Sequence, residues 1–190
     1  VKRFRTAVAS REWDGREGEW MRQGRRDGFR EFAAGRSGHL YRSACLLASG
    51  DTHLAEDLVQ ETLGRMYLHW GRISRVDNPA AYAQTVLVRA YLTHRRRRSA
   101  GERPVGRLPD TGAVAAGGDP ALRMTLLQAL GRLAPKDRAV LVLRYWEDRS
   151  VEETADAMNV SSAAVRTRCS RALARLREQL GGSLSAFAEF

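Results

Sequence analysis

The sequence predicts an all-α protein: two small helical domains joined by a flexible linker. Apolar residues recur at i, i+3, i+4 and i+7 through residues 29–98 and again through residues 122–180, the period of amphipathic helices, and no segment alternates with the period of two that marks a strand. Between these blocks, residues 99–120 hold Gly101, Pro104, Gly106, Pro109, Gly112, Gly117, Gly118 and Pro120, with too few apolar side chains to build a core. Each block has about 60–70 residues, near the lower limit for independent folding.

Residues 1–27 are polar and Arg/Gly-rich, with isolated Trp13 and Trp20, and are expected to form a disordered basic extension or one weak helix. Met21 is a candidate translation start, because patterned sequence begins near Phe29. From there Phe29, Phe32, Ala33, Leu40, Ala44, Leu47 and Ala48 mark a helix, weakened by Gly35 and Gly38 and ended by the turn at Gly50-Asp51. Asp51 or Thr52 caps a second helix running to about Trp70, with Leu54, Leu58, Leu63, Met66, Tyr67 and Trp70 as its apolar side. A loop over residues 71–77 leads to Asn78-Pro79, a strong helix start because proline suits the first helical position. That helix carries Tyr82, Val86, Leu87, Ala90 and Tyr91 and ends in Arg95, Arg96, Arg97 and Arg98. After the linker, Leu122, Leu126, Leu127, Leu130 and Leu133 mark a helix that Ala134-Pro135 breaks. Val140, Leu141, Leu143, Tyr145 and Trp146 mark the next.

The segment SVEETADAMNVSSAAVRTRCSRALARLREQL, residues 150–180, carries the most information. Ser150 with Glu153 three residues on reads as a capping box opening a short helix over 151–158. Asn159-Val160-Ser161 is a turn, and the hydroxyls of Ser161 and Ser162 open a second helix to Leu180. On that helix Val165, Cys169, Ala172, Leu173, Leu176 and Leu180 form one apolar stripe. Arg166, Thr167, Ser170, Arg171, Ala174 and Arg177 face the other way. Two helices about a tight turn, the second with an Arg/Ser/Thr face, are the elements of a helix-turn-helix. Arginine can bond guanine edges or phosphates, the hydroxyls reach either, and Ala174 permits close approach.

A net charge of +10 and a pI near 10.7 suit a polyanion partner. The charge is uneven: +4 over residues 1–30, −1 over 31–78, +4 over 79–121, +2 over 122–148 and +1 over 149–190. The acidic block suits protein rather than DNA. No apolar run approaches the ~18 residues of a membrane span, and the N-terminus has no signal-like apolar segment, so no membrane insertion is expected. Cys45 and Cys169 lie on apolar helix faces, as small core residues do, and a reducing cytoplasm is the default setting. His39, His53, His69 and His94 are scattered, without HExxH or paired Cys/His spacing, and there is no phosphate-binding glycine loop or carboxylate pair. No catalytic residue, metal or cofactor is expected, which weighs against a nucleic-acid enzyme. His94, beside the arginine run, is placed to touch phosphate. A stand-alone helix-turn-helix regulator is the alternative reading.

The AEDLVQET string at residues 55–62, Asn78-Pro79-Ala80-Ala81-Tyr82, Leu130-Gly131-Arg132-Leu133-Ala134-Pro135, residues 139–145 and the helix-turn-helix together resemble the extracytoplasmic-function sigma factors, small promoter-specificity subunits of bacterial RNA polymerase, in their sigma-E-like form. The resemblance spans about residues 29–179. It implies that residues 28–98 are region 2, which binds polymerase core and opens the −10 element, and that residues 121–181 are region 4, which reads the −35 element. Residues 182–190 would be a tail. Asp57, Gln60 and Glu61 match positions that contact the clamp helices of the largest core subunit. Their i, i+3, i+4 spacing makes one acidic patch suited to a basic helix. Tyr82, Arg89, Arg95 and Arg96 would meet the −10 strand, Arg89 standing where many relatives place asparagine. The stretch Arg72-Ile73-Ser74-Arg75 occupies the position of the family's base-capturing loop. Ser162, Arg166, Thr167, Ser170 and Arg171 match −35 contact positions. Promoter DNA, core polymerase and an anti-sigma factor are the implied partners. A linker of about 20 residues at ~3.4 Å each could reach ~70 Å, enough for two DNA sites more than one helical turn, ~34 Å, apart.

Overall fold

A computed structural model describes residues 15–101 and 120–181, and every element in them is a helix or a turn. The first block contains α1 (Gly15–Ala48), α2 (Thr52–Leu68), the single turn α3 (Trp70–Ile73) and α4 (Pro79–Gly101). The second contains α5 (Pro120–Gly131), α6 (Pro135–Leu141), which continues into a π-turn at Val142–Trp146, then α7 (Val151–Met158) and α8 (Ser162–Leu180). Most of the expected linker and all of the expected tail lie outside the described residues, as do residues 1–14.

Helix starts follow local chemistry. The Asp51 carboxylate accepts from the Leu54 amide at 3.0 Å, and the Asn78 side chain accepts from the Ala81 amide at 2.9 Å. Pro135 sits in the first turn of α6. The α1–α2 turn carries Ser49 and Gly50 at φ 60° and 88°, and the Gly50 amide donates to the Cys45 carbonyl at 2.9 Å, closing the end of α1.

Two expectations about elements need correction, and the extension, expected as disorder or one weak helix, is helical from Gly15. Its Arg, Glu, Gln, Trp and Met are compatible with a helix once Phe29 and Phe32 anchor α1 on Trp70, with ring centroids 5.5 and 4.9 Å away. The 71–77 loop begins as helix, because Trp70 and Ile73 are both buried and tie α3 to the core. The 99–120 linker loses both ends: α4 runs through Gly101 and Pro120 opens α5.

Two helical blocks are present as expected, but they are not held by a tether alone. Leu40, Leu47, Leu58, Met66, Leu87, Val88 and Tyr91 of the first block and Val140, Val142, Leu143, Ala155, Met158 and Val165 of the second belong to one continuous buried cluster. A smaller cluster of Leu130, Leu133, Leu141 and Ala172 is centred in the second block. The second block is too thin to bury both of its apolar sides, and the first block covers one of them.

Candidate nucleic-acid interface

The helix-turn-helix forms as its residues dictate. Ser150 Oγ accepts from the Glu153 amide at 3.0 Å, and the Glu153 carboxylate accepts from the Ser150 amide at 2.7 Å, completing the capping box. The Ser150 amide, and then its hydroxyl, beside the Glu153 carboxylate hold that carboxyl below the usual range. Asn159, at φ 54°, takes the left-handed conformation that ends α7, and Ser161 Oγ caps α8 by accepting from the Ala164 amide at 3.2 Å. Val165, Ala172 and Leu180 of the expected stripe are buried, while Cys169, Leu173 and Leu176 are half-buried. Arg166, Thr167, Ser170, Arg171, Ala174 and Arg177 are all exposed, and Ser162 is half-buried at the helix start. Arg166 pairs with exposed Glu152 at 3.2 Å and the Thr167 hydroxyl donates to the Ala163 carbonyl at 3.0 Å. The ion pair is an exposed one that a phosphate could displace at little cost.

The α2 face is equally open. Asp57, Gln60 and Glu61 are exposed, while Leu54, Leu58, Val59 and Thr62 on the other side of the helix are buried. Glu61 pairs with Arg65 one turn on, so the patch is rimmed by a cation.

On α4, Tyr82 is 42 % exposed and Arg96 is exposed, whereas Arg95 is half-buried. Arg65, His69, Tyr82, Val86 and Arg89 line a hollow of about 350 Å³, an aromatic ring and two guanidinium groups around a space large enough to admit a nucleobase. Arg89 reaches the surface as expected, but its guanidinium is engaged across the block boundary. Nε and Nη2 donate to the carbonyls of Ala157 and Asp156 at the end of α7, at 2.9 and 3.0 Å. The expectation for His94 is corrected. Its Nε2 is buried without a partner, and burial, then Arg98 and Arg95, push its pKa down, so the ring faces inward as a neutral group rather than toward phosphate.

Sequence reasoning missed the polar seam between the blocks. The Glu147 carboxylate, only 2 % exposed, lies 2.8 Å from His39 Nε2 and accepts from Ser43 Oγ and Gln84 Nε2. Arg149 donates to the Ala81 carbonyl, to Gln84 Oε1 at 2.9 Å and to Thr85 Oγ1 at 3.3 Å. Trp146 Nε1 donates to Ser43 Oγ at 3.0 Å. Arg138 of α6 places its guanidinium between two helix ends, donating to the Leu47 carbonyl at 2.6 Å and to those of Gly131 and Leu133 at 2.9 and 3.3 Å. Burial pushes the pKa of Arg138 and Arg149 down, yet arginine stays charged, so these carbonyls must replace its water. The local signal was weak: Tyr145-Trp146-Glu147-Asp148-Arg149 reads as an ordinary amphipathic helix end.

Among the described residues no helix is long and apolar enough to cross a membrane, and no cluster of His, Cys, Asp and Glu could hold a metal. Cys45 is buried and Cys169 half-buried, and neither forms a disulfide.

The fold and the exposed α8 face define a two-block helix-turn-helix protein. Residues 36–101 match the family model for sigma-70 region 2, and residues 123–176 match that for sigma-70 region 4. The chain is 40 % identical over 152 residues to the RNA polymerase sigma-E factor of Streptomyces coelicolor, covering 80 % of this chain and 85 % of that protein. It is 33 % identical over 131 residues to the RNA polymerase sigma factor CarQ of Myxococcus xanthus, covering 67 % and 75 %. The fold is similar to that of the sigma factor RpoE from Bartonella quintana, solved with the anti-sigma factor NepR (TM-score 0.67, 24 % identity, 82 % of this chain and 98 % of that one). It is also similar to the extracytoplasmic function sigma factor SigJ of Mycobacterium tuberculosis (TM-score 0.56, 28 % identity, 83 % and 57 %). The chain belongs to the extracytoplasmic-function sigma factors, transcription initiation factors of RNA polymerase.

Proposed function

We propose a division of labour between the blocks. Residues 28–98 dock on polymerase core through Asp57, Gln60 and Glu61 and engage the −10 strand through Tyr82, Arg89, Arg95 and Arg96. Residues 121–181 read the −35 element through Ser162, Arg166, Thr167, Ser170 and Arg171, and residues 99–120 let the two readers separate. The observation that carries this reading is the placement of an exposed acidic face on α2 and an exposed Arg/Ser/Thr face on α8, one on each block. The hollow lined by Tyr82 and Arg89 suits an unstacked base. Unstacking costs a few kcal/mol per base, offset by contacts in the hollow and by core docking.

On this reading the chain is not an enzyme: it supplies recognition, and the polymerase supplies chemistry, in the cytoplasm. An anti-sigma factor, such as the one solved with the Bartonella protein, is the proposed inhibitor. A stand-alone regulator would have no use for the α2 face.

Reversing that face tests the proposal. Asp57→Lys with Glu61→Lys should abolish binding to core polymerase while the helical content stays unchanged, because both side chains are exposed. Undiminished holoenzyme formation would refute the docking role. Arg171→Ala should weaken −35-dependent transcription by about 1–3 kcal/mol, the worth of a bidentate base contact. Unchanged activity on the best promoter of a template library would show that the wrong face of α8 was assigned.

A further inference from the structure

The apolar packing of α8 fixes its place in the block better than the angle at which it presents its outer face. The buried stripe is shallow in the middle, where Ala172 is fully enclosed and Cys169, Leu173 and Leu176 are half-buried. Val165 and Leu180 bury the two ends. Apolar burial has no preferred direction, and an alanine offers a facing helix little relief to key into. A small roll of α8 would carry Thr167, Ser170 and Arg171 with it. Bonds to base edges weaken steeply with misalignment, so the roll matters to any reading of sequence.

Asp137 supplies the direction. It stands in the first turn of α6, two residues after Pro135, with its side chain only 10 % exposed. One carboxylate oxygen accepts from Arg168 Nη1 at 3.0 Å, and the other lies 3.5 Å from Arg175 Nη1. Arg168 and Arg175 are two helical turns apart, about 10 Å along the axis. Both stand on the flank of α8 between buried Ala172 and exposed Arg171. A tie at one point would leave the helix free to pivot, whereas two ties to one carboxylate resist both roll and slide. The seat of that carboxylate is firm, because Ala139, Val140 and Leu141 of the same helix are buried, and the start of a helix favours an anion. By contrast, the Arg166–Glu152 pair is open to water on both sides and holds α8 weakly.

We propose that Asp137 is a positioning residue for −35 reading: through Arg168 and Arg175 it sets the roll of α8 that aims Thr167, Ser170 and Arg171 at base edges, without touching DNA itself. The inference rests on the reading of α8 as the −35 face. It separates aiming from attraction. A cation that only holds phosphate strengthens binding to every sequence alike, while a group that aims the helix changes the difference between right and wrong bases.

The test measures that difference. Holoenzyme reconstituted with the full chain is assayed on its best promoter and on the same promoter with each −35 base pair replaced in turn. Asp137→Asn keeps the shape and removes the charge. It should lower discrimination several-fold at the positions that Arg171→Ala also affects, a part of the roughly tenfold or more that one well-read base pair is worth. Holoenzyme formation and helical content should not change. Arg168→Gln with Arg175→Gln should flatten the same positions, and adding Asp137→Asn to that pair should do nothing further, because its handles are gone. Should Asp137→Asn perturb folding, the two arginine changes, on side chains open to water, decide alone. Discrimination that moves in Arg171→Ala but in neither Asp137→Asn nor the arginine pair overturns the positioning role. So does an equal loss on all templates, or an Asp137→Asn effect that survives in full without the two arginines. A profile that Arg171→Ala itself leaves unmoved overturns the −35 reading of this face, and the inference with it.

Discussion

The first block surrounds its core with three long helices, so Leu40, Leu58, Leu87 and Tyr91 are almost fully enclosed. Apart from α8, the second block has shorter helices, and the cluster centred in it comprises Leu130, Leu133, Leu141 and Ala172 among the described residues, with Leu126, Leu173 and Leu176 half-buried around them. Its other apolar side, Val140, Val142, Leu143, Met158 and Val165, lies in the larger cluster. At ~1.5–3 kcal/mol per well-buried aliphatic side chain, that side contributes a large fraction of a small domain's net stability. The comparison teaches that a second reader this small is stable where it leans on the first, and that moving it away requires a replacement surface.

The sharpest way to break this comparison is to cut one residue from each cluster. Leu143→Ala should destabilise the chain by about 2–5 kcal/mol and lower the unfolding of both blocks together. Leu133→Ala, a matched deletion, should act on helices α5, α6 and α8 while exchange protection in α2 and α4 is retained. If Leu143→Ala leaves the protection of α4 intact, the blocks do not share a core in solution.

Next in size is Arg138→Met, which fills similar volume but leaves the carbonyls of Leu47, Gly131 and Leu133 without their donor. A loss of about 1–3 kcal/mol is expected from carbonyls left unsatisfied by burial. A neutral or stabilising result in denaturant titration would show that dehydrating the guanidinium costs as much as its bonds return.

The smallest effect concerns pH and belongs to the first block. Burial and the neighbouring Arg98 and Arg95 lower the folded-state pKa of His94 below the ordinary 6.5. A proton therefore binds the unfolded chain more readily. The stability linked to the neutral ring is fully present above pH 6.5 and is lost as pH falls from that value through the folded pKa. His94→Gln should flatten the decline in Tm between about pH 7 and pH 5. An unchanged slope would assign the acid sensitivity elsewhere.

Much of this was legible in the chain because the signals are short-range. Asp51, Ser150 with Glu153, and Ser161 each act on an amide three residues away and cap as expected, and Asn78 does the same at the helix start that Pro79 marked. The α8 faces followed from a 3.6-residue period that one helix satisfies alone. What escaped is what depends on distant partners. Tyr145 and Trp146 look like core residues yet are 59 % and 43 % exposed, because the π-turn rotates them out. Arg138, Glu147 and Arg149 look like surface residues yet are enclosed, with partners 91, 108 and 68 positions away. His94 was expected at phosphate because it neighbours arginines in sequence, but its side chain turns inward.

The chain by itself determined its helices, their caps, the recognition face of α8 and the acidic face of α2, since each depends on periodicity and hydrogen bonds within one or two turns. Tertiary structure alone decided that the blocks share a core, that Glu147 and two arginines are buried between them, and that Arg89 rests on α7. Those outcomes come from which surfaces exclude water together, and a polar side chain gives no local sign of whether its partner will be solvent or a helix end far along the chain.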